Sequence, residues 1–168
     1  MSSDFYATSI APFAPIVIKI CRAYTSTQQD FEDYYQEVCL QIWRSHHTLD
    51  DRAAWSTWIY RVALNVCMTM LRTQQRRRRL FAPGEVPSEL VEDSRAFADE
   101  SLNRLYDAIR QLSEVDRAVI LLHLDEKSYA EIGEIVGTNP NNVGVRINRI
   151  KDRLRRILDE KDHRSDVA

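Results

Sequence analysis

Glycine and proline are scarce in this chain, at four and five of 168 residues; with 44% apolar residues, that excludes collagen-like and disordered low-complexity classes and favours a soluble, mostly helical protein. Cysteine is scarcer still. Cys21, Cys39 and Cys67 are odd in number, widely spaced and set in apolar helical patterns, which excludes a disulfide framework and fits free thiols in a reducing cytoplasm. These thiols and the four histidines do not suggest a metal site, because no Cys-x-x-Cys or His-x-x-x-His pair is present and the adjacent His46 and His47 point different ways. A long apolar run is missing as well. The stretch at 11–20 is broken by Pro12, Pro15 and Lys19 and no cationic segment precedes it, so neither membrane insertion nor a secretory signal is predicted. There is no phosphate-binding loop and no nucleophile set beside a base. No catalytic residue, metal or cofactor is therefore expected, and the chain is not read as an enzyme.

Net charge is only -2, but the charges are segregated along the chain. Residues 60–80 carry Arg61, Arg72 and Arg76 to Arg79 with no acid, and residues 141–158 carry Arg146, Arg149, Lys151, Arg153, Arg155 and Arg156 against Asp152 alone. Between them, residues 85–100 hold Glu85, Glu89, Glu92, Asp93, Asp99 and Glu100 against Arg95. Neutralising phosphates releases counterions, with a slope of about -0.9 per contact in log affinity against log salt, so the two basic blocks are where a duplex would bind. The acidic remainder predicts weak binding by the chain alone.

The most informative segment is SYAEIGEIVGTNPNNVGVRINRIKDRLRRIL at 128–158, which reads as two short helices joined by a tight turn. Ser128 and Glu131 form a capping box at the start of the first helix, and Ala130 and Gly133 would admit a close helix contact. Gly137 suits a left-handed stop, while Asn139 followed by Pro140 fits an N-cap with proline at the first helical position. Val143, Ile147, Ile150, Leu154 and Leu158 make the buried stripe, and Asn142, Arg146 and Arg149 share another face. Arginine can bridge guanine and asparagine can bridge adenine in a major groove, so this face is chemically suited to reading bases. A solvated basic hairpin would show the same pattern.

Elsewhere, helices are expected at roughly 4–23, 30–44 and 53–79, with a turn at 45–51, and in the second half at 99–112 and 114–123, where Ser113 and Asp116 mark a start. Phe31, Tyr34, Tyr35, Val38, Leu40, Ile42 and Trp43 form the apolar body of the second helix, and Trp43 is assigned to the core. Trp55 and Trp58 suit either packing or stacking on an unpaired base; Trp58 is expected to be buried. The fold class is all-α: two small helical domains, 1–80 and 99–168, joined by a flexible acidic linker at 81–98, the C-terminal one holding the helix-turn-helix.

Four blocks in order, DFEDYYQEVCLQIWR at 30–44, WSTWIYRVALN at 55–65, LSEVDRAVILLHL at 112–124 and SYAEIGEIVG at 128–137, resemble bacterial sigma factors of the extracytoplasmic-function type in the sigma-70 family. The resemblance spans nearly the whole chain. It implies a specificity subunit that binds core RNA polymerase, directs it to promoter DNA and assists melting, with the first domain at the polymerase clamp and minus-ten element and the second at the minus-thirty-five element. Asp33, Gln36 and Glu37 match the family's Asp-x-x-Gln-Glu segment on the clamp-binding helix. Asn65, Arg72, Arg76 and Arg77 would contact DNA near the minus-ten element, and the loop at 45–52 matches the segment that captures a flipped base of the non-template strand. In the second domain the expected contacts are Asn141, Asn142, Val145, Arg146 and Arg149.

One departure stands out. Where many members show Gly-Thr-Val-Lys-Ser-Arg at the start of the reading helix, this chain has Asn141-Asn142-Val143-Gly144-Val145-Arg146, losing a lysine and a serine that would touch DNA. Gly144 would admit close approach of the backbone to phosphate or to a neighbouring helix, and Val145 can meet a thymine methyl. The resemblance also admits a resting complex with an inhibitory anti-sigma protein and places the chain in the cytoplasm. The rival reading is an autonomous helix-turn-helix regulator, which would need its own dimerisation surface.

Overall fold

The computed structural model describes residues 1–51, 54–81 and 99–167. Those residues are helical with connecting turns, and the chain divides into two units, Met1–Ser94 and Arg95–Ala168. The acidic linker expected at 81–98 lies, apart from Phe81, outside the described residues, as do Arg52 and Ala53.

In the first unit, α1 (Ser3–Phe5) runs into a widened turn at Tyr6–Ile10, a tight turn at Ala11–Phe13, and α2 (Ala14–Tyr24). The single helix expected over 4–23 is thus broken. Pro12 lacks an amide hydrogen and its ring crowds the carbonyl four residues back, so regular pairing cannot pass through it. Residues Ser3–Tyr24 are long and apolar enough to cross a membrane by length and composition. Here Val17, Ile20, Cys21 and Ala23 are buried and α2 packs on α3 (Gln28–Ser45) and α4 (Trp55–Leu80). Thr27 caps α3, its hydroxyl accepting from the Asp30 amide at 3.1 Å, so the helix starts before the expected residue 30.

The buried line of α3 is Tyr34, Val38, Cys39 and Ile42, and that of α4 is Ile59, Tyr60, Ala63, Leu64, Cys67 and Leu71. Trp43, assigned to the core by its size and apolarity, is instead 39% exposed: it stands one residue past Ile42, about 100° around the helix from the buried line. Trp58 is half-buried rather than buried. Cys21 and Cys67 meet in the core with sulfurs 3.9 Å apart, and all three cysteines are free and buried.

The second unit contains α5 (Glu100–Ile109), α6 (Glu114–Leu124), α7 (Tyr129–Val136) and α8 (Pro140–Asp166). Arg117 fastens the turn between α5 and α6 by donating to the Leu112 carbonyl at 3.0 Å and the Arg110 carbonyl at 2.6 Å. Val143, Ile147, Ile150 and Leu154 bury one side of α8 against the helices below, while Leu158 is half-buried. Beyond residue 154, α8 continues along α5 through ion pairs of Arg104 with Asp162 and Lys161 with Asp107.

Candidate nucleic-acid interface

The helix-turn-helix is built from its caps. The Ser128 hydroxyl accepts from the Glu131 amide at 3.1 Å while the Glu131 carboxylate accepts from the Ser128 amide at 2.7 Å. That reciprocal pair, first of all the backbone hydrogen bond, holds the Glu131 carboxyl below the usual carboxylate range. Gly137 ends α7 at φ 80°, and the Gly133 carbonyl accepts from both Gly137 and Thr138 amides at 2.9 Å. A Cβ at Gly133 would lie 2.5 Å from the Thr138 carbonyl oxygen. The close approach at Gly133 is therefore to the turn backbone rather than to another helix, and Ala130, expected to share it, is exposed. Asn139 then caps α8, its side chain accepting from the Asn142 amide at 2.9 Å. Three residues, Gly137 to Asn139, connect α7 to α8.

On the outer face of α8, Asn142, Val145, Arg146 and Arg149 follow one another at helical spacing; Asn141, Asn142 and Arg149 are exposed, and Val145 is 69% exposed. Two of these side chains are already engaged. Asn142 donates to the Thr138 hydroxyl at 3.3 Å, and Arg146 pairs with Asp116 of α6 at 3.1 Å, an acid only 14% exposed. Sequence reasoning missed that partner, which lies thirty residues away. Gly144 faces the neighbouring helix α7: a Cβ there would meet the Tyr129 ring at 3.2 Å, so Tyr129 occupies the space beside the reading helix that a longer side chain would need. Behind it, the ring of His123 lies 6.3 Å from that of Tyr129, and burial together with Lys151 pushes the imidazole pKa down.

In the first unit, Asn65, Arg72, Arg76 and Arg77 are all exposed along α4. Trp58, Asn65, Arg72 and Arg76 recur at intervals of seven, seven and four, so they share one face; Arg77 turns away from it. Trp58, rather than Trp55, joins the polar stripe. Trp55 packs against Trp58 with ring centroids 5.0 Å apart, and its indole N–H donates to the Ser9 carbonyl at 3.1 Å. On α3, Asp33 and Gln36 are exposed, while Glu37 is partly screened and pairs with Arg44 at 3.6 Å. Trp43 falls on the same stripe as Asp33 and Gln36, three and four residues apart along the helix by way of Leu40. Its exposure beside a polar face is a signal that size and apolarity alone had hidden.

The Sigma-70 region 2 family model matches residues 10–77 and the Sigma-70 region 4 model matches residues 102–154. The RNA polymerase sigma factor CarQ of Myxococcus xanthus is 31% identical over 134 residues, covering 77% of this chain and 75% of CarQ. The ECF RNA polymerase sigma factor SigW of Bacillus subtilis is 27% identical over 169 residues, covering 92% of this chain and 89% of SigW. SigG of Mycobacterium tuberculosis is 29% identical over 181 residues and covers 92% of this chain, which spans only 48% of SigG. Among solved structures, the sigma factor RpoE of Bartonella quintana, in complex with the anti-sigma factor NepR, superposes with a TM-score of 0.72 at 17% identity, covering 94% of this chain and 98% of RpoE.

Proposed function

This chain belongs to the extracytoplasmic-function group of the sigma-70 family, and from that membership we propose that it is a promoter-specificity subunit: it binds core RNA polymerase, brings it to a particular set of promoters and assists strand opening. The single observation that carries this reading is the pairing, in one chain, of an exposed polar stripe along α4 with a capped helix-turn-helix whose outer face offers Asn142, Val145, Arg146 and Arg149. Arginine and asparagine read base edges, valine can meet a thymine methyl, and the run Arg76 to Arg79 offers charges suited to phosphates. The function is one of binding rather than catalysis, and its setting is the cytoplasm.

Asp33, Gln36 and Glu37 form the polymerase-facing stripe, to which the exposed ring of Trp43 adds an apolar anchor. Aromatic anchors inside a polar rim are the usual energetic centre of such surfaces. The loop that follows α3 is assigned to capture of an unpaired base, Asn65, Arg72 and Arg76 to the adjoining strand, and Arg77, which lies off their face, to backbone phosphate. We assign residues 1–80 to the clamp and minus-ten element, 99–168 to the minus-thirty-five element, and 81–98 to the connector. An anti-sigma protein is a further proposed partner, on the strength of the RpoE–NepR complex whose sigma fold this chain shares.

Retention of the chain by immobilised core polymerase tests the assignment. Trp43→Ala should weaken retention by about 2 kcal/mol or more, in the range of interface anchors, and leave the thermal unfolding temperature nearly unchanged. A chain that ignores core polymerase and binds duplex tightly as a dimer would instead be an autonomous regulator.

A further inference from the structure

The loop that follows α3 is held at both ends by a segment that the matched family region leaves out. Residues 10–77 match Sigma-70 region 2, so residues 3–9 precede it. Within those residues, the Phe5 ring lies 4.6 Å from the His46 ring at the start of the loop, tilted 46°. His46 is fixed from its other side by a 2.6 Å hydrogen bond between its Nδ1 and the Trp43 carbonyl at the end of α3. At the far end of the loop, Trp55 donates its indole N–H to the Ser9 carbonyl at 3.1 Å, and the Trp58 ring backs the indole. The segment is itself fastened to α3: the hydroxyls of Tyr6 and Tyr35 are 2.9 Å apart in a part-buried setting, and Ile10 is fully buried.

We propose that residues 3–10 act as a clip that pins the chain on either side of the loop assigned at 45–52, through Phe5 on His46 and the Ser9 carbonyl on Trp55, making Phe5 and Trp55 positioning residues for base selection by that loop. The inference rests on the assignment of the loop to capture of an unpaired base. Residues already fixed before the ligand arrives, as His46 and Trp55 are, lose less conformational freedom on binding and yield less to a wrong base. The hydrogen bonds of the clip reach α3 at the Tyr35 hydroxyl and, by way of His46, at the Trp43 backbone carbonyl rather than at the Asp33, Gln36 and Trp43 side chains of the polymerase-facing stripe, so its removal should separate base choice from polymerase binding.

The test uses holoenzyme assembled from the full chain and core polymerase on promoter derivatives carrying each of the four bases at every non-template position of the melted segment. Open complex is read by permanganate reactivity of unpaired thymines. Wild type should discriminate among bases at one position, and Phe5→Ala and Trp55→Phe should each lower the best-to-worst ratio there by about three- to tenfold, the size expected from losing one supporting contact. Tyr6→Phe, which frees the clip from α3 without disturbing a ring, should reduce the ratio in the same direction. Core affinity should change less than about twofold in all three variants, since each leaves the Asp33, Gln36 and Trp43 side chains in place. Retained discrimination in Phe5→Ala and Trp55→Phe would overturn the clip and leave the loop assignment standing. A wild type that discriminates at no position would overturn the loop assignment and the clip with it. A parallel loss of core affinity would make the segment a general prop of the unit, and would equally overturn the proposal.

Discussion

Arg146 sits where a base-reading guanidinium is expected, yet its charge is met by Asp116 at 3.1 Å. A long side chain tethered in this way enters a groove with fewer conformations to lose, and a mostly buried carboxylate that engages one guanidinium nitrogen leaves the others available for a bidentate contact. Asp116→Asn should therefore cost about 1–3 kcal/mol of discrimination at one base pair of the upstream element while non-specific duplex affinity is held. Binding isotherms on single-substituted sites read this directly; a uniform gain in affinity at every sequence would mean that the acid restrains Arg146 rather than aims it. Two of the three helix-turn-helix glycines, Gly133 and Gly144, make a matched pair. Gly133→Ala drives a Cβ into the Thr138 carbonyl and should destabilise by about 1–3 kcal/mol. Gly144→Ala meets only the rim of the exposed Tyr129 ring, which can swing aside, so the helix-propensity gain of up to about 1 kcal/mol should prevail. Chemical denaturation of the two variants checks both signs, and Gly144→Lys should raise duplex affinity at all sequences alike.

Helix by helix, what could be read from sequence was what is local. Ser113, Ser128, Asn139 and Gly137 announce helix ends because a cap is an agreement among residues at most four apart, and each sits in the structure where its pattern puts it. The break at Pro12 was misread because a favourable apolar period on both sides of it outweighed the proline in the pattern, whereas the missing amide outweighs the period in the backbone. Trp43 shows the complementary limit: one position of phase separates a core residue from a surface one, and sequence boundaries are not that sharp. The Asp116 partner of Arg146 and the Ser9 partner of Trp55 belong to tertiary packing, and no local pattern encodes them. The α7 cap also carries a pH signature. Since the folded Glu131 pKa lies below its unfolded value, its contribution is complete above the unfolded pKa and fades as pH falls through the folded one. Glu131→Gln should flatten stability against pH on the acid side, and Ser128→Ala should cost about 1 kcal/mol at neutral pH, both measurable by thermal denaturation.

Across the molecule, the first unit keeps three thiols inside a helical core. Burial pushes Cys39 up to about 11, and the hydrogen bond with Cys21, reinforced by burial, raises Cys67 as well. A thiol with a raised folded pKa adds stability below its unfolded value of about 8.5, and that stability is lost as pH climbs through the folded one. Alkylation at neutral pH should be slow in the native chain and rapid once it is unfolded; fast labelling under native conditions would show that this core opens. The charge pattern sets a larger expectation. With arginine-rich stretches on α4 and α8 and a net charge of only -2, the chain alone should hold duplex weakly and with steep salt dependence, gaining grip when core polymerase joins it.

The decisive measurement is transcription in vitro with purified core polymerase on genomic fragments, with the start sites mapped. Discrete initiation points should appear when the chain and the core enzyme are both present and vanish when either is withheld. Unchanged transcript ends on adding the chain, with tight duplex binding by the chain alone, would contradict its assignment as a promoter-specificity subunit.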